Sequence, residues 1–111
     1  MNNIHLSAEA QNDLMEIRAY IEGELLNPSA ALATVRRITK SLRVLQTYAQ
    51  AGAPLSSVAD INSDYRFIVS GNYMSFYRSS NQDIYVDRIL YARCDYMRVL
   101  FGHVSADEAD E

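Results

Sequence analysis

Cysteine is nearly absent from this chain of 111 residues, and the single Cys94 cannot form a disulfide within the molecule. The chain also has no signal-like apolar run and no stretch near the roughly 18 apolar residues that mark a membrane-spanning helix. A domain of this length buries roughly two-thirds of the surface of its unfolded chain, so its core does not depend on disulfides. These absences predict a cytoplasmic protein without a membrane partner.

An excess of basic charge is absent too, since the net charge is −4 with 10 Lys and Arg against 14 Asp and Glu. Four of the acidic residues follow Gly102. They are Asp107, Glu108, Asp110 and Glu111. The first 102 residues are therefore neutral, which argues against non-specific binding of nucleic acid over a wide basic surface. We expect one domain at residues 1–102, a frayed acidic tail at 103–111, and neither a metal nor a cofactor.

Two amphipathic helices are predicted in the first half. After a short apolar stretch at residues 3–6, Ser7 is placed to cap the first helix, and Asn27 and Pro28 are placed to begin the second. Apolar residues recur three or four positions apart in both helices. They are Ala10, Leu14, Ile17, Ile21 and Leu25, then Ala31, Val35, Ile38, Leu42 and Leu45. Two such stripes joined by a short loop predict an antiparallel helical hairpin.

The strongest local signal is Gly71-Asn72 between two aromatic and β-branched runs, which is typical of a β-hairpin. A two-residue loop there pairs Phe67 with Phe76, Val69 with Met74, and Arg66 with Tyr77. Side-chain alternation then predicts one face packed on the helices and one polar face with Arg66 beside Tyr77. The predicted core face comprises Phe67, Val69, Met74, Phe76 and, from the next strand, Val86.

A third strand is predicted from Ile84 to Tyr91, with Phe76 opposite Val86 and Tyr77 opposite Tyr85. Continued further, this register turns Arg88 into the core, so we expect a bulge or strand end near Asp87 and Arg88. Residues 50–63 show no periodicity and indicate a loop. The predicted fold is α+β: an N-terminal strand, an antiparallel helical hairpin, an antiparallel three-strand meander and a short C-terminal helix after Asp95.

This order of elements, with six short motifs, resembles the RelE/ParE toxin superfamily over residues 3–101. The motifs are LSAEA at 6–10, DLMEIRAYI at 13–21, DYR at 64–66, GNY at 71–73, FY at 76–77 and RILYAR at 88–93. The resemblance implies a bacterial type II toxin–antitoxin module of the plasmid-stabilisation type, whose toxin inhibits growth until a small antitoxin wraps its helices and sheet. It also implies a homodimer or a hetero-oligomer with the antitoxin.

The superfamily has at least two activities. ParE-like members poison DNA gyrase without a hydrolytic centre, whereas RelE-like members cut messenger RNA on the ribosome. For a nuclease, the resemblance implies that Arg66 stabilises the phosphate, that Arg93 assists, and that Tyr96 donates a proton. This set of catalytic residues is incomplete, because Val99 occupies the position where the resemblance to RelE implies a catalytic tyrosine near the end of the chain. We therefore favour the ParE-like activity, with the RelE-like nuclease and a non-toxic antitoxin-binding module as alternatives.

Further candidates are binding residues on the sheet and on the second helix. Tyr73, Tyr77 and Tyr85 are candidates for stacking on a ligand, and ordinary sheet packing is the other reading. Arg36, Lys40 and Arg43 share one helical stripe, which fits an acidic antitoxin, a nucleic acid or simple solvation. Arg66 also fits a cross-strand cation–π cluster with Tyr77 and Tyr85.

Overall fold

The computed structural model describes residues 1–59 and 62–102. The helices are α1 (Ala8–Ala19), α2 (Pro28–Val44) and α3 (Tyr96–Phe101). A π-helical turn (Tyr20–Glu24) follows α1, and a 3₁₀ turn lies at Leu55–Ser57. The strands are β1 (Asn3–Leu6), β2 (Ala53–Pro54), β3 (Arg66–Ser70), β4 (Tyr73–Ser80) and β5 (Asp83–Tyr91). The acidic tail predicted at 103–111 lies outside the described residues.

The helical hairpin begins where the capping residues predicted it. The Ser7 hydroxyl accepts a hydrogen bond from the Ala10 amide at 2.9 Å, and the Asn27 side chain accepts one from the Ala30 amide at 3.1 Å. α1 ends at Ala19, and the chain continues through Gly23 as the π-helical turn. The reversal occurs at Leu26, whose φ of 51° is left-handed. A left-handed leucine is a strained conformation, so the tip of the hairpin is held by its surroundings.

One sheet of five strands follows the order β1-β5-β4-β3-β2. The predicted meander of β3, β4 and β5 is antiparallel, and β1 is added to it in parallel beside the first four residues of β5. At the opposite edge, β2 pairs with β3 through two residues only. Residues 50–63, predicted as a loop, therefore contain a short strand and a 3₁₀ turn. Pairing over two residues leaves no periodicity for sequence analysis to find.

The two registers of the meander differ in outcome. Between β3 and β4 the predicted pairs are confirmed, including Phe67 with Phe76. Between β4 and β5 the predicted pairs are wrong, by one residue for Tyr77, which pairs with Val86, and by two for Phe76, which pairs with Arg88. The expected bulge is present, and Asp87 is the additional residue.

Both faces of the sheet are buried. On the helix-covered face, Tyr77, Ile84, Val86 and Ile89 pack against the predicted stripes of α1 and α2. On the opposite face, Phe67, Met74, Phe76 and Leu90 form a second cluster with Leu55, covered by α3. The prediction that Phe67, Met74 and Phe76 pack on the helices is therefore wrong, and Val69 is 56% exposed. The alternation of side chains along a strand predicts which residues share a face. It does not predict which helix packs on that face.

Candidate functional site

A groove of about 700 Å³ lies between α1, the π-helical turn, β5 and the C-terminal segment. Its walls are mainly apolar and aromatic. They include Ile17, Tyr20, Leu25, Tyr73, Ile89, Leu90, Tyr91 and Val99. Several large apolar side chains at the groove and the adjoining hairpin tip are exposed, among them Leu25 at 56% and Leu26 at 82%. Concentrated exposed apolar surface of this kind is typical of a protein–protein contact site.

The groove exists because β1 is shorter than β5. β1 pairs only with residues 83–86, so within the described part of the chain no strand neighbours the second half of β5 on that side. The Asp13 carboxylate occupies this edge and accepts a hydrogen bond from the Ile89 amide at 2.9 Å. Alternate residues of a strand direct their N–H groups to the same side, so the Tyr91 amide also points towards the groove.

Asp13 also pairs with Arg88, whose Nε and Nη2 donate to the two carboxylate oxygens at 2.8 and 2.9 Å. The Asp13 side chain is only 6% exposed, and these hydrogen bonds supply the partners that a buried carboxylate requires. They also raise the pKa of the Arg88 guanidinium. The pair joins α1 to β5 at the floor of the groove.

Arg66 and Tyr77 lie on the helix-covered face and hold the segment before β2. Arg66 Nη1 donates to the Gly52 carbonyl at 2.6 Å, and the Gly52 amide donates to the Tyr77 hydroxyl at 3.0 Å. That hydroxyl donates in turn to the Ala49 carbonyl at 2.9 Å. A Cβ at Gly52 would lie 2.5 Å from the Phe67 carbonyl oxygen, so only glycine fits there. Tyr77 is fully buried, which contradicts its expected place on an open polar face.

Tyr96 lies on the opposite face of the sheet. Its ring packs on Phe76 with a centroid distance of 5.3 Å. Arg66 pairs with Tyr77 across β3 and β4, and cross-strand partners share a face, so Arg66 is on the other side from Phe76 and Tyr96. Two of the three residues predicted for a nuclease are thus separated by the sheet.

Arg93 is exposed in the turn after β5. In the part of the chain that the structure describes, no carboxylate lies within 4.0 Å of it. The nearby Asp95 caps α3 by accepting from the Arg98 amide and contacts the Arg98 side chain at 3.6 Å.

The other tyrosines predicted as binding residues are far apart in the sheet. Tyr73 lines the groove and makes an edge contact with Tyr91, with centroids 5.9 Å apart. Tyr85 is exposed on the first half of β5 and stacks on His5 at 5.2 Å. Of these candidates, only Tyr73 contributes to the groove. Arg36, Lys40 and Arg43 are exposed on α2.

A cation–phenol contact does occur on the sheet, but one residue along from the predicted one. The Arg78 guanidinium lies 5.1 Å from the centre of the Tyr65 ring, and both side chains bond to Asp87. Burial and the 2.6 Å hydrogen bond to Asp87 raise the pKa of Tyr65 to about 12. Asp87 is the extra residue of the bulge, and its carboxylate lies 3.0 Å from Arg78 Nη2.

Sequence reasoning did not identify Asp13 and Arg88 as parts of a site. A signal was present, because Asp13 lies one turn from the apolar stripe and the predicted register turned Arg88 into the core. Opposite charges that are both directed inwards are expected to pair. Within residues 1–59 and 62–102, no group of His, Cys, Asp or Glu could hold a metal ion, and no helix is long and apolar enough to cross a membrane.

Comparison with known proteins gives one family and two related folds. The family model described as "ParE toxin of type II toxin-antitoxin system, parDE" matches residues 4–96. A chain from the chromosomal ParDE toxin–antitoxin system of P. aeruginosa superposes with a TM-score of 0.70 at 23% identity, covering 84% of this chain and 98% of that chain. YafQ from E. coli strain BL21(DE3) superposes with a TM-score of 0.50 at 16% identity, covering 92% and 100%. No curated protein matches significantly by sequence.

Proposed function

This chain belongs to the ParE toxin family of type II toxin–antitoxin systems, and we propose that it acts on DNA gyrase by surface contact, without a hydrolytic centre. Membership of the family makes it the toxin of such a module, with an antitoxin as its partner. The choice of gyrase poisoning over messenger RNA cleavage is our inference. Its place of action is then the cytoplasm, where gyrase works on DNA.

One observation carries this choice: Arg66 and Tyr96 lie on opposite faces of the sheet. An endonuclease needs its phosphate-stabilising cation and its proton donor around one scissile phosphate, within hydrogen-bond reach of the reacting atoms. Arg66 is instead directed at the Gly52 carbonyl, and the Tyr96 ring is packed on Phe76. Both contacts support structural roles for these two residues.

The groove supports the other half of the proposal, which is control by an antitoxin. It combines apolar walls with the unpaired side of β5 near Tyr91. An extended peptide can add to an open sheet edge through its backbone, and its alternate side chains then fill neighbouring pockets. We therefore place an apolar segment of the antitoxin in this groove, along the second half of β5.

The test combines growth with two biochemical assays. Expression of this chain alone is expected to stop bacterial growth, and co-expression of the antitoxin encoded beside it restores growth. Purified chain is expected to increase the DNA cleaved by gyrase and to leave ribosome-bound messages intact. Cuts at fixed codon positions in those messages would overturn the proposal in favour of the RelE-like alternative. Normal growth at confirmed expression of folded protein would instead indicate the non-toxic binding module.

The Tyr96→Phe variant distinguishes gyrase poisoning from message cleavage by removing a single hydroxyl group. It retains the ring that packs on Phe76 and removes only the hydroxyl that a nuclease would use as its acid. Toxicity equal to wild type is expected for a gyrase poison. If Tyr96→Phe abolishes message cleavage while the melting temperature is unchanged, the hydroxyl is a catalytic group and the nuclease reading stands.

A further inference from the structure

We propose that the outer side of α2, with Arg36, Lys40 and Arg43, binds an acidic segment of the toxin's protein target, at a surface separate from the groove. We call these three residues the basic face. The proposal rests on the proposed function in one respect: the bound protein is the target and not the antitoxin.

The basic face is contiguous and open to solvent. Spacings of four and three residues place Arg36, Lys40 and Arg43 on one side of the helix over two turns. All three are exposed. The opposite side of α2 buries the residues that pack on the sheet, namely Ala31, Ile38 and Leu42. The three cations therefore point directly away from the core.

The distribution of ion pairs distinguishes α2 from the rest of the molecule. Among the described residues, Arg18, Arg78, Arg88 and Arg98 each contact a carboxylate, and Arg66 bonds to a carbonyl. Of the ten Lys and Arg residues, six have no carboxylate within 4.0 Å in residues 1–59 and 62–102, and four of these six lie on α2. They are Arg36, Arg37, Lys40 and Arg43.

The sequence of α2 contains no acidic residue that could pair with these cations. No Asp or Glu occurs between Pro28 and Val44, so Arg36 and Lys40 are like charges four residues apart, and such pairs destabilise a helix. Arg78 and Arg88, by contrast, are paired with carboxylates at 3.0 and 2.8 Å. A row of cations that has no carboxylate partner within residues 1–59 and 62–102 is thus complementary to carboxylates supplied by another molecule.

An acidic protein segment fits this face better than nucleic acid does. Three cations neutralise at most three phosphates, and a neutral body adds no further attraction, so binding to DNA would be weak and highly sensitive to salt. Leu32 and Val44 are each more than 40% exposed on the same helix and suit the apolar side chains of a protein.

The position of α2 keeps the basic face away from the groove. α2 packs over β3 and β4, whereas α1 packs over β5, where the groove lies. An antitoxin segment in the groove therefore does not need the basic face. Antitoxin binding and target binding are separable by mutation.

The experiment compares two double variants that remove equal charge. Arg36→Gln/Arg43→Gln changes the basic face, and Arg18→Gln/Arg98→Gln changes two exposed cations elsewhere as the matched control. We expect the first variant to lose growth inhibition at equal expression and to bind purified gyrase about tenfold more weakly at low salt. The control is expected to match wild type in both assays. Antitoxin affinity and melting temperature are expected to be unchanged in the basic-face variant.

Several outcomes would overturn the proposal. Wild-type toxicity in the basic-face variant would exclude this surface, and so would equal weakening in the control. If the basic-face variant instead loses antitoxin affinity, the occupant is the antitoxin. Loss of binding to a 30-base-pair DNA duplex, with gyrase binding retained, would assign the face to nucleic acid. A wild-type chain that stops growth without binding gyrase defeats the proposed function alone, since the growth comparison still tests the basic face.

Discussion

The two faces of the sheet are closed by very different elements. The helix-covered face lies under α1 and α2, of 12 and 17 residues, whose apolar stripes match its buried side chains. The other face lies under α3, which has only six residues and no stability of its own. Ring contacts hold α3 in place, such as Tyr96 on Phe76 and Phe101 on Tyr65. The comparison teaches that a strand residue such as Phe76 can be fully buried under an element that is helical only because of its packing.

The largest effect is expected from Phe76→Ala. This variant tests whether the α3-covered face contributes as much to the free energy of unfolding as the helix-covered face. Phe76 is fully buried, so its truncation should cost about 3–5 kcal/mol in urea unfolding, comparable with Ile38→Ala on the helix-covered face. Val69→Ala, on the same face but 56% exposed, is the matched control and should change stability by less than about 0.5 kcal/mol. A loss of less than about 1 kcal/mol of unfolding free energy for Phe76→Ala would mean that α3 does not pack stably on the sheet.

Asp13→Asn tests the polar contact at the rim of the helix-covered face. It removes one partner of a largely buried ion pair, which should cost about 3 kcal/mol, the lower end of the usual range because the Arg88 side chain is 29% exposed. Glu22→Gln breaks the exposed Arg18 pair and should cost about 0.5 kcal/mol or less. Equal effects in thermal or urea unfolding would show that Asp13 does not secure α1 to β5.

Tyr77→Phe tests the hydroxyl that joins the helix-covered face to residues 49–52. It leaves the Gly52 amide and the Ala49 carbonyl without this partner, so we expect a loss of roughly 1–3 kcal/mol. Tyr85→Phe removes an exposed hydroxyl and should be nearly neutral. The comparison is made by urea unfolding, and amide exchange at Gly52 should rise only in Tyr77→Phe. Identical unfolding of both variants would argue against this role.

The smallest effect concerns alkaline pH and the α3-covered face. The pKa of Tyr65 is about 12 in the folded chain, above its ordinary value of 10.0, so the folded state holds this proton more tightly. The stabilisation is complete below pH 10 and is lost as the pH rises through 12. Tyr65→Phe should therefore lose less stability than wild type between pH 10 and 12. Ultraviolet absorbance of the phenolates and unfolding at each pH provide the measurement, and parallel curves would contradict the assignment.

Local sequence signals predicted the elements and part of the register. Ser7, Asn27 and Pro28 specify helix starts through their own side chains and ring, and Gly71 with Asn72 specifies a hairpin whose pairs follow from loop length. The groove was not predictable in the same way. It requires that β1 cover only the first four residues of β5, and this parallel pairing joins residues about 80 positions apart.

The sequence by itself determined which side chains of each strand point together, because alternation is a local property of the extended chain. Only the tertiary structure decided what those side chains do. Asp87, the extra residue of the bulge, binds both Arg78 and Tyr65, and the cation–phenol contact lies between these two residues rather than between Arg66 and Tyr77. The packing of α1 and α2 on Tyr77 turned the expected open face into core, and the packing of α3 on Phe76 separated Tyr96 from Arg66. Both events depend on contacts between distant segments, whose energies no local pattern of residues encodes.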